Sequence, residues 1–117
     1  MSIVVKFWKE DFRYTERYFS YDGYCYTFTV RGESANYLMN KYGLGYPNVE
    51  VNYFTDDGSM SVRSSTENKL KIDITDIDDE EDLKELRTIL QETVDLDMRN
   101  YEEYMCDDGY KRDSRWK

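Results

Sequence analysis

The chain predicts an α+β fold: an antiparallel sheet of about five or six strands, one short helix, and a long acidic C-terminal helix packed on a sheet face. Three observations predict it. Asp22-Gly23 and Asp57-Gly58 each interrupt a run of alternating apolar and polar residues, the pattern of a β-hairpin. From Leu83 onward, Leu86, Leu90, Val94, Tyr101 and Met105 recur at helical spacing. No linker, repeat or low-complexity tract divides the 117 residues, so residues 1–117 form a single domain.

Taken in order, the opening "SIVVKFW" is a strand candidate. "RYTERYFSYDGYCYTFTVR" follows. A two-residue turn at Asp22-Gly23 sets Tyr21 opposite Tyr24, Phe19 opposite Tyr26 and Arg17 opposite Phe28. One face then carries Phe19, Tyr21, Tyr24, Tyr26, Phe28 and Val30, the core side. The other carries Tyr14, Tyr18, Ser20, Cys25, Thr27 and Thr29. "SANYLMNKYG" reads as a short helix capped by Ser34, with Ala35, Leu38 and Tyr42 on one side and Gly43 as its stop. The second hairpin places Val49, Val51 and Tyr53 opposite Met60 and Val62. "KLKIDIT" alternates Leu70, Ile72 and Ile74 with Lys69, Lys71 and Asp73 as a third strand of that meander, so residues 1–75 are mostly antiparallel strands.

The stretch "DITDIDDEED" holds seven carboxylates in ten residues. As a calcium loop it fails: counted from Asp76, the sixth position is Glu81 where glycine is needed, and the twelfth is Arg87. As a helix start it works, with Asp78 as N-cap, Glu81 completing an acidic capping box, and the acids complementing the helix dipole. The helix is expected over residues 78–105. Asp97 falls on its apolar side, where a bend would relieve the conflict. Residues 111–117, "KRDSRWK", form a basic tail.

Net charge is -9, and its distribution is uneven. Residues 1–72 balance nine bases against nine acids, whereas residues 73–110 carry fifteen acids against Lys84, Arg87 and Arg99. Direct nucleic-acid binding needs the opposite sign. There is no histidine, which removes the commonest general base and zinc ligand. Cys25 reads as a packed strand residue, and Cys106 is flanked by acids that suppress its thiolate. No phosphate-binding glycine motif occurs, and neither a cofactor nor a metal is implied. Two cysteines and no apolar run of membrane-spanning length point to a cytoplasmic protein, and the missing histidine and phosphate-binding motifs point to one that is not an enzyme.

On a helical wheel Glu81, Glu85, Glu92, Asp95, Glu102 and Glu103 fall within a stripe about 100° wide, opposite the leucines. Such a stripe suits a basic partner, and Tyr14 and Tyr18 on the outer sheet face are candidate aromatic anchors. In size, acidity and lack of catalytic apparatus the chain is similar to small inhibitors that occupy nucleic-acid-binding sites, such as phage-encoded anti-restriction and anti-CRISPR proteins. The expected function is therefore a non-enzymatic inhibitor that covers the basic surface of a nucleic-acid-binding enzyme or complex. An antitoxin or immunity-type protein covering a basic toxin, and a self-associating structural protein, are the alternatives.

Overall fold

The computed structural model describes residues 6–20 and 23–108, with Ser20 and residues 101–108 in backbone only. The chain order is a 3-10 turn at Lys9–Asp11, β1 (Phe12–Ser20), β2 (Gly23–Val30), α1 (Gly32–Tyr42), β3 (Asn48–Phe54), β4 (Met60–Ser65), β5 (Ile72–Asp76) and α2 (Glu80–Asp108). The five strands form one antiparallel sheet in sequence order, with β1 and β5 at its edges. The α+β class holds. Of the predicted opening strand, residues 1–5 lie outside the described residues, and Lys6–Trp8 carry no regular structure.

The second hairpin follows the alternation: Tyr53 pairs with Met60 and Val51 with Val62. The first hairpin differs from expectation. Ser20 pairs with Gly23, Phe19 with Tyr24 and Arg17 with Tyr26, a two-residue offset from the register of an Asp22-Gly23 turn. Because side chains alternate with period two, that offset leaves the faces unchanged. Gly23 is therefore a strand residue, and its glycine identity has another cause. A Cβ there would lie 2.6 Å from Thr55 Oγ1, the hydroxyl that accepts from the Tyr24 N–H at 2.9 Å. The loop residues Tyr21 and Asp22 lie outside the described residues.

A shift in register between Tyr14 and Glu16 corrects one assignment. The bulge turns Tyr14 onto the core side, where its ring meets Tyr26 and Phe28 at centroid distances of 5.6 and 6.0 Å. The α1 cap is also different. The helix starts at Gly32, and Ser34 is buried, its hydroxyl accepting from the Trp8 N–H at 2.9 Å. The Asp11 carboxylate takes the Ser34 N–H at 3.2 Å and so caps α1 from the preceding turn. Gly43 ends the helix in the left-handed region, φ 67°, as expected.

One core lies between the helices and one face of the sheet. Leu86, Leu90 and Val94 of α2 and Ala35 and Leu38 of α1 pack on Tyr26, Phe28, Val49, Val51, Met60 and Val62. Burying each of the larger aliphatic side chains contributes about 1.5–3 kcal/mol, enough to bind a sheet whose strands are individually short. Sheet side chains on this side also donate to α2: the Tyr26 hydroxyl and Arg17 to Asp97, and the Tyr53 hydroxyl to the Gln91 amide oxygen. The other face is held together by its own side chains. Thr27 Oγ1 donates to Asn52 Oδ1 at 2.9 Å, Asn52 Nδ2 donates to Ser61 Oγ at 3.4 Å, and Arg63 pairs with Glu50.

Candidate functional site

Acidic residues dominate the chemistry, and the fold sorts them into two populations. The buried population centres on Asp82. Asp79 caps α2, its Oδ1 accepting the N–H groups of Glu81 and Asp82 at 2.9 and 3.0 Å, one residue later than the expected Asp78. That start places Asp82 four residues before Leu86, on the core side of the helix, with a side chain 0% exposed. The opposing surface of α1 offers Tyr37, Lys41 and Tyr42, and the segment before the 3-10 turn offers Lys6.

All four converge on the carboxylate. Lys6 Nζ lies 2.9 Å from Oδ1, and Lys41 Nζ lies 2.8 Å from Oδ2. The Tyr37 hydroxyl donates at 3.0 Å to Oδ1, and the Tyr42 hydroxyl at 2.9 Å to Oδ2. Burial alone would raise the Asp82 carboxyl, but hydrogen bonds from Lys41, Lys6, Tyr42 and Tyr37 hold it below the ordinary range. Lys41 and two backbone N–H groups hold neighbouring Asp79 down to about 2. Both carboxylate oxygens of Asp82 are occupied, so the group acts as a structural anchor and has no lone pair free for catalysis. Asp97 plays the same part further along α2: it accepts from Arg17 Nη1 at 2.7 Å and from the Tyr26 hydroxyl at 2.9 Å. The helix continues through it without a break.

The second population faces solvent. Glu81 and Asp95 are exposed, and Asp95 accepts from Gln91 Nε2 at 2.7 Å. Glu85 is paired with Lys6 at 2.9 Å, and Glu92 with Lys9, so two members of the expected stripe are neutralised from within the chain. Lys84 and Arg99 also sit on the solvent side of α2. The side chains of Glu102 and Glu103 lie outside the described residues, as does the 111–117 tail.

Among the described residues, the densest uncompensated charge lies at the β5–α2 junction. Asp76, Asp78, Glu80 and Glu81 are all exposed there, and none has an ion-pair partner among the described residues. Tyr14 is removed from the candidate surface by the β1 bulge. Tyr18 stays on the outer sheet face, paired across the ladder with Cys25. Its hydrogen bond with the Cys25 thiol, together with partial burial, pushes the phenol up to about 12.

Sequence reasoning missed the Asp82 anchor by treating the residue as one more first-turn acid. The signal was present: Asp82, Leu86, Leu90 and Asp97 share one stripe at helical spacing, and a carboxylate on an apolar stripe calls for a partner.

Of the remaining features, a cavity of about 440 Å³ lies between the 3-10 turn and α2, with Phe12, Phe28, Ile89 and Leu90 as its apolar lining and Lys9, Glu10 and Thr93 as its polar lining. Among the described residues no group of three or more carboxylate or thiol side chains is placed to hold a metal ion. No described helix is long and apolar enough to cross a membrane. No family model matches the chain, and no curated protein or solved structure is significantly similar to it.

Proposed function

We propose that the chain is a non-enzymatic interaction module that covers a basic, nucleic-acid-handling surface of another protein. One observation carries the reading: the charge excess is confined to residues 73–110, and four of its exposed acids that have no ion-pair partner among the described residues gather at the β5–α2 junction. Like charges held that closely repel one another and cost stability, so their retention favours a use for the field they make. Against a basic groove they speed encounter and align the partners. Asp76, Asp78, Glu80, Glu81 and Asp95 are the contributing groups, with Tyr18 as an aromatic anchor on the adjacent sheet face. An antitoxin or immunity-type role would use the same surface on a basic toxin and differs only in the partner.

The test is capture from host lysate by the tagged chain, beside a variant with those five acids changed to Asn or Gln and confirmed as folded by circular dichroism. The reading expects a nucleic-acid-binding protein on the native chain alone. It also expects that protein to be displaced by duplex DNA, and the complex to weaken between about 0.05 and 0.5 M salt as exposed charges are screened. Equal capture by both forms, or salt-insensitive binding, would overturn it.

A further inference from the structure

The two sheet edges are built differently. β1 is interrupted by its bulge and presents Arg13 and Glu16, two common protections against edge pairing. β5 pairs with β4 without a register shift from Ile72 to Asp76, and its outer side pairs with nothing among the described residues. Ile77 N–H bonds Met60 O at 3.0 Å, and Lys71 O accepts from Thr66 N–H at 3.0 Å. The alternate residues Ile72, Ile74 and Asp76 therefore direct their backbone N–H and C=O groups away from β4, to the open edge.

The side chains at this edge are arranged against expectation. Leu70, Ile72 and Ile74, the apolar row of "KLKIDIT", are 81%, 49% and 61% exposed. Ile72 and Ile74 stand on the outer face with their ladder neighbours Ser65 and Arg63, and not over the core, while Leu70 lies in the turn that precedes β5.

We infer that β5 is a homodimerisation edge, pairing antiparallel with β5 of a second copy of this chain about a two-fold axis at Ile72. The register is self-complementary. Ile72 faces the partner's Ile72, and Leu70, which precedes the strand and gives its N–H to Asn68 Oδ1 at 3.2 Å, meets the partner's Ile74 through its side chain, so the exposed apolar residues are covered by one another. On the other side of the ribbon Lys71 faces the partner's Asp73. Lys71 has no ion-pair partner among the described residues, and Asp73 uses Oδ2 for the Gly45 N–H at 3.1 Å, leaving Oδ1 available. A shift of the axis by one residue, onto Asp73, would oppose like charges, and a shift by two would set Ile72 against Asp76. The two subunits' sheets would join into one continuous sheet. Because each copy carries a net charge of -9, added salt relieves repulsion and favours this contact. That response is opposite in sign to the one expected for a basic partner, so either idea can fail without the other.

The test uses the full chain. Sedimentation velocity of the native protein is expected to give a dimer that strengthens from about 0.05 to 0.5 M salt. Ile72→Lys sits at an exposed position, so the fold tolerates it, and it is expected to weaken the dimer at least about tenfold. Register is read by cross-linking in a Cys106→Ser background. In a hydrogen-bonded antiparallel pair the Cα atoms lie about 5.5 Å apart, within disulfide reach, so Ile72→Cys is expected to form an interchain disulfide on mild oxidation. Thr75→Cys, about six residues from its own symmetry mate in this register, is expected to form no interchain disulfide. A native protein that remains monomeric at high concentration, a dimer indifferent to Ile72→Lys, or equal cross-linking by both cysteines would overturn the inference.

Discussion

Replacing Asp82 with alanine separates the two populations of acid, because only one of them is expected to matter for folding. In the native chain the carboxylate satisfies Lys6, Lys41, Tyr37 and Tyr42 at once. Removing one partner of a buried charge pair costs about 3–5 kcal/mol. Here each lysine keeps a second acid, Glu85 for Lys6 and Asp79 for Lys41, and both ammonium groups are partly exposed. The lower end, about 3 kcal/mol, is therefore the expected loss. At about 4 °C per kcal/mol for a domain of this size, Tm falls by about 12 °C. Glu81→Gln, on the exposed side of the same helical turn, should change Tm by less than about 2 °C. The assay is thermal unfolding by circular dichroism at neutral pH. Asp82→Ala within about 2 °C of the native protein would refute the anchor argument.

The same carboxylates set the acid limit. Asp82 lies below its ordinary value and Asp79 is held at about 2, so both contribute stability above the usual carboxyl range and lose it as pH falls through their folded values. The Tm difference between native and Asp82→Asn proteins should therefore shrink as pH is lowered from about 4 toward 2, and a constant difference would contradict the assignment.

Three further outcomes are expected. Gly23→Ala forces a Cβ to within 2.6 Å of Thr55 Oγ1; overpacking of that kind costs about 1–3 kcal/mol, measurable by urea denaturation. Asp97→Ala removes the carboxylate that accepts from Arg17 Nη1 and from the Tyr26 hydroxyl; the expected loss is about 2 kcal/mol in the same assay, with helix content retained. At the alkaline end Lys6, Lys41 and Tyr42 are all raised from their ordinary values, so stability present below about pH 10 is lost above it. A spectrophotometric titration should show Tyr42 ionising only with unfolding.

Much of the fold was legible because local rules and burial agreed. Val49, Val51 and Tyr53 alternate toward the core and pair as the alternation requires. Leu86, Leu90 and Val94 keep helical spacing and are buried. Elsewhere a neighbour distant in sequence overrode the local signal. Ser34 has the chemistry of an N-cap, but the Asp11 carboxylate occupies that role, and the serine hydroxyl is used by Trp8. "KLKIDIT" alternates as a half-buried strand should, yet β4 holds it with Ile72 and Ile74 outward. An alternating strand specifies two different faces without specifying which one meets the core.

The candidate surface divides in the same way. Sequence alone determined the hairpin-and-helix class, the confinement of negative charge to one segment, and the amphipathic face of α2, because these depend on residue type and spacing along one element. Only tertiary structure decided which acids are available. Glu85 and Glu92 look equivalent to Glu81 on a helical wheel, but the segment that carries Lys6 and Lys9 runs beside them and neutralises them. Asp82 looks like any first-turn acid until α1 and Lys6 close over it. A charge is free or spent according to what lies within about 4 Å of it, and for this chain those neighbours come from tens of residues away.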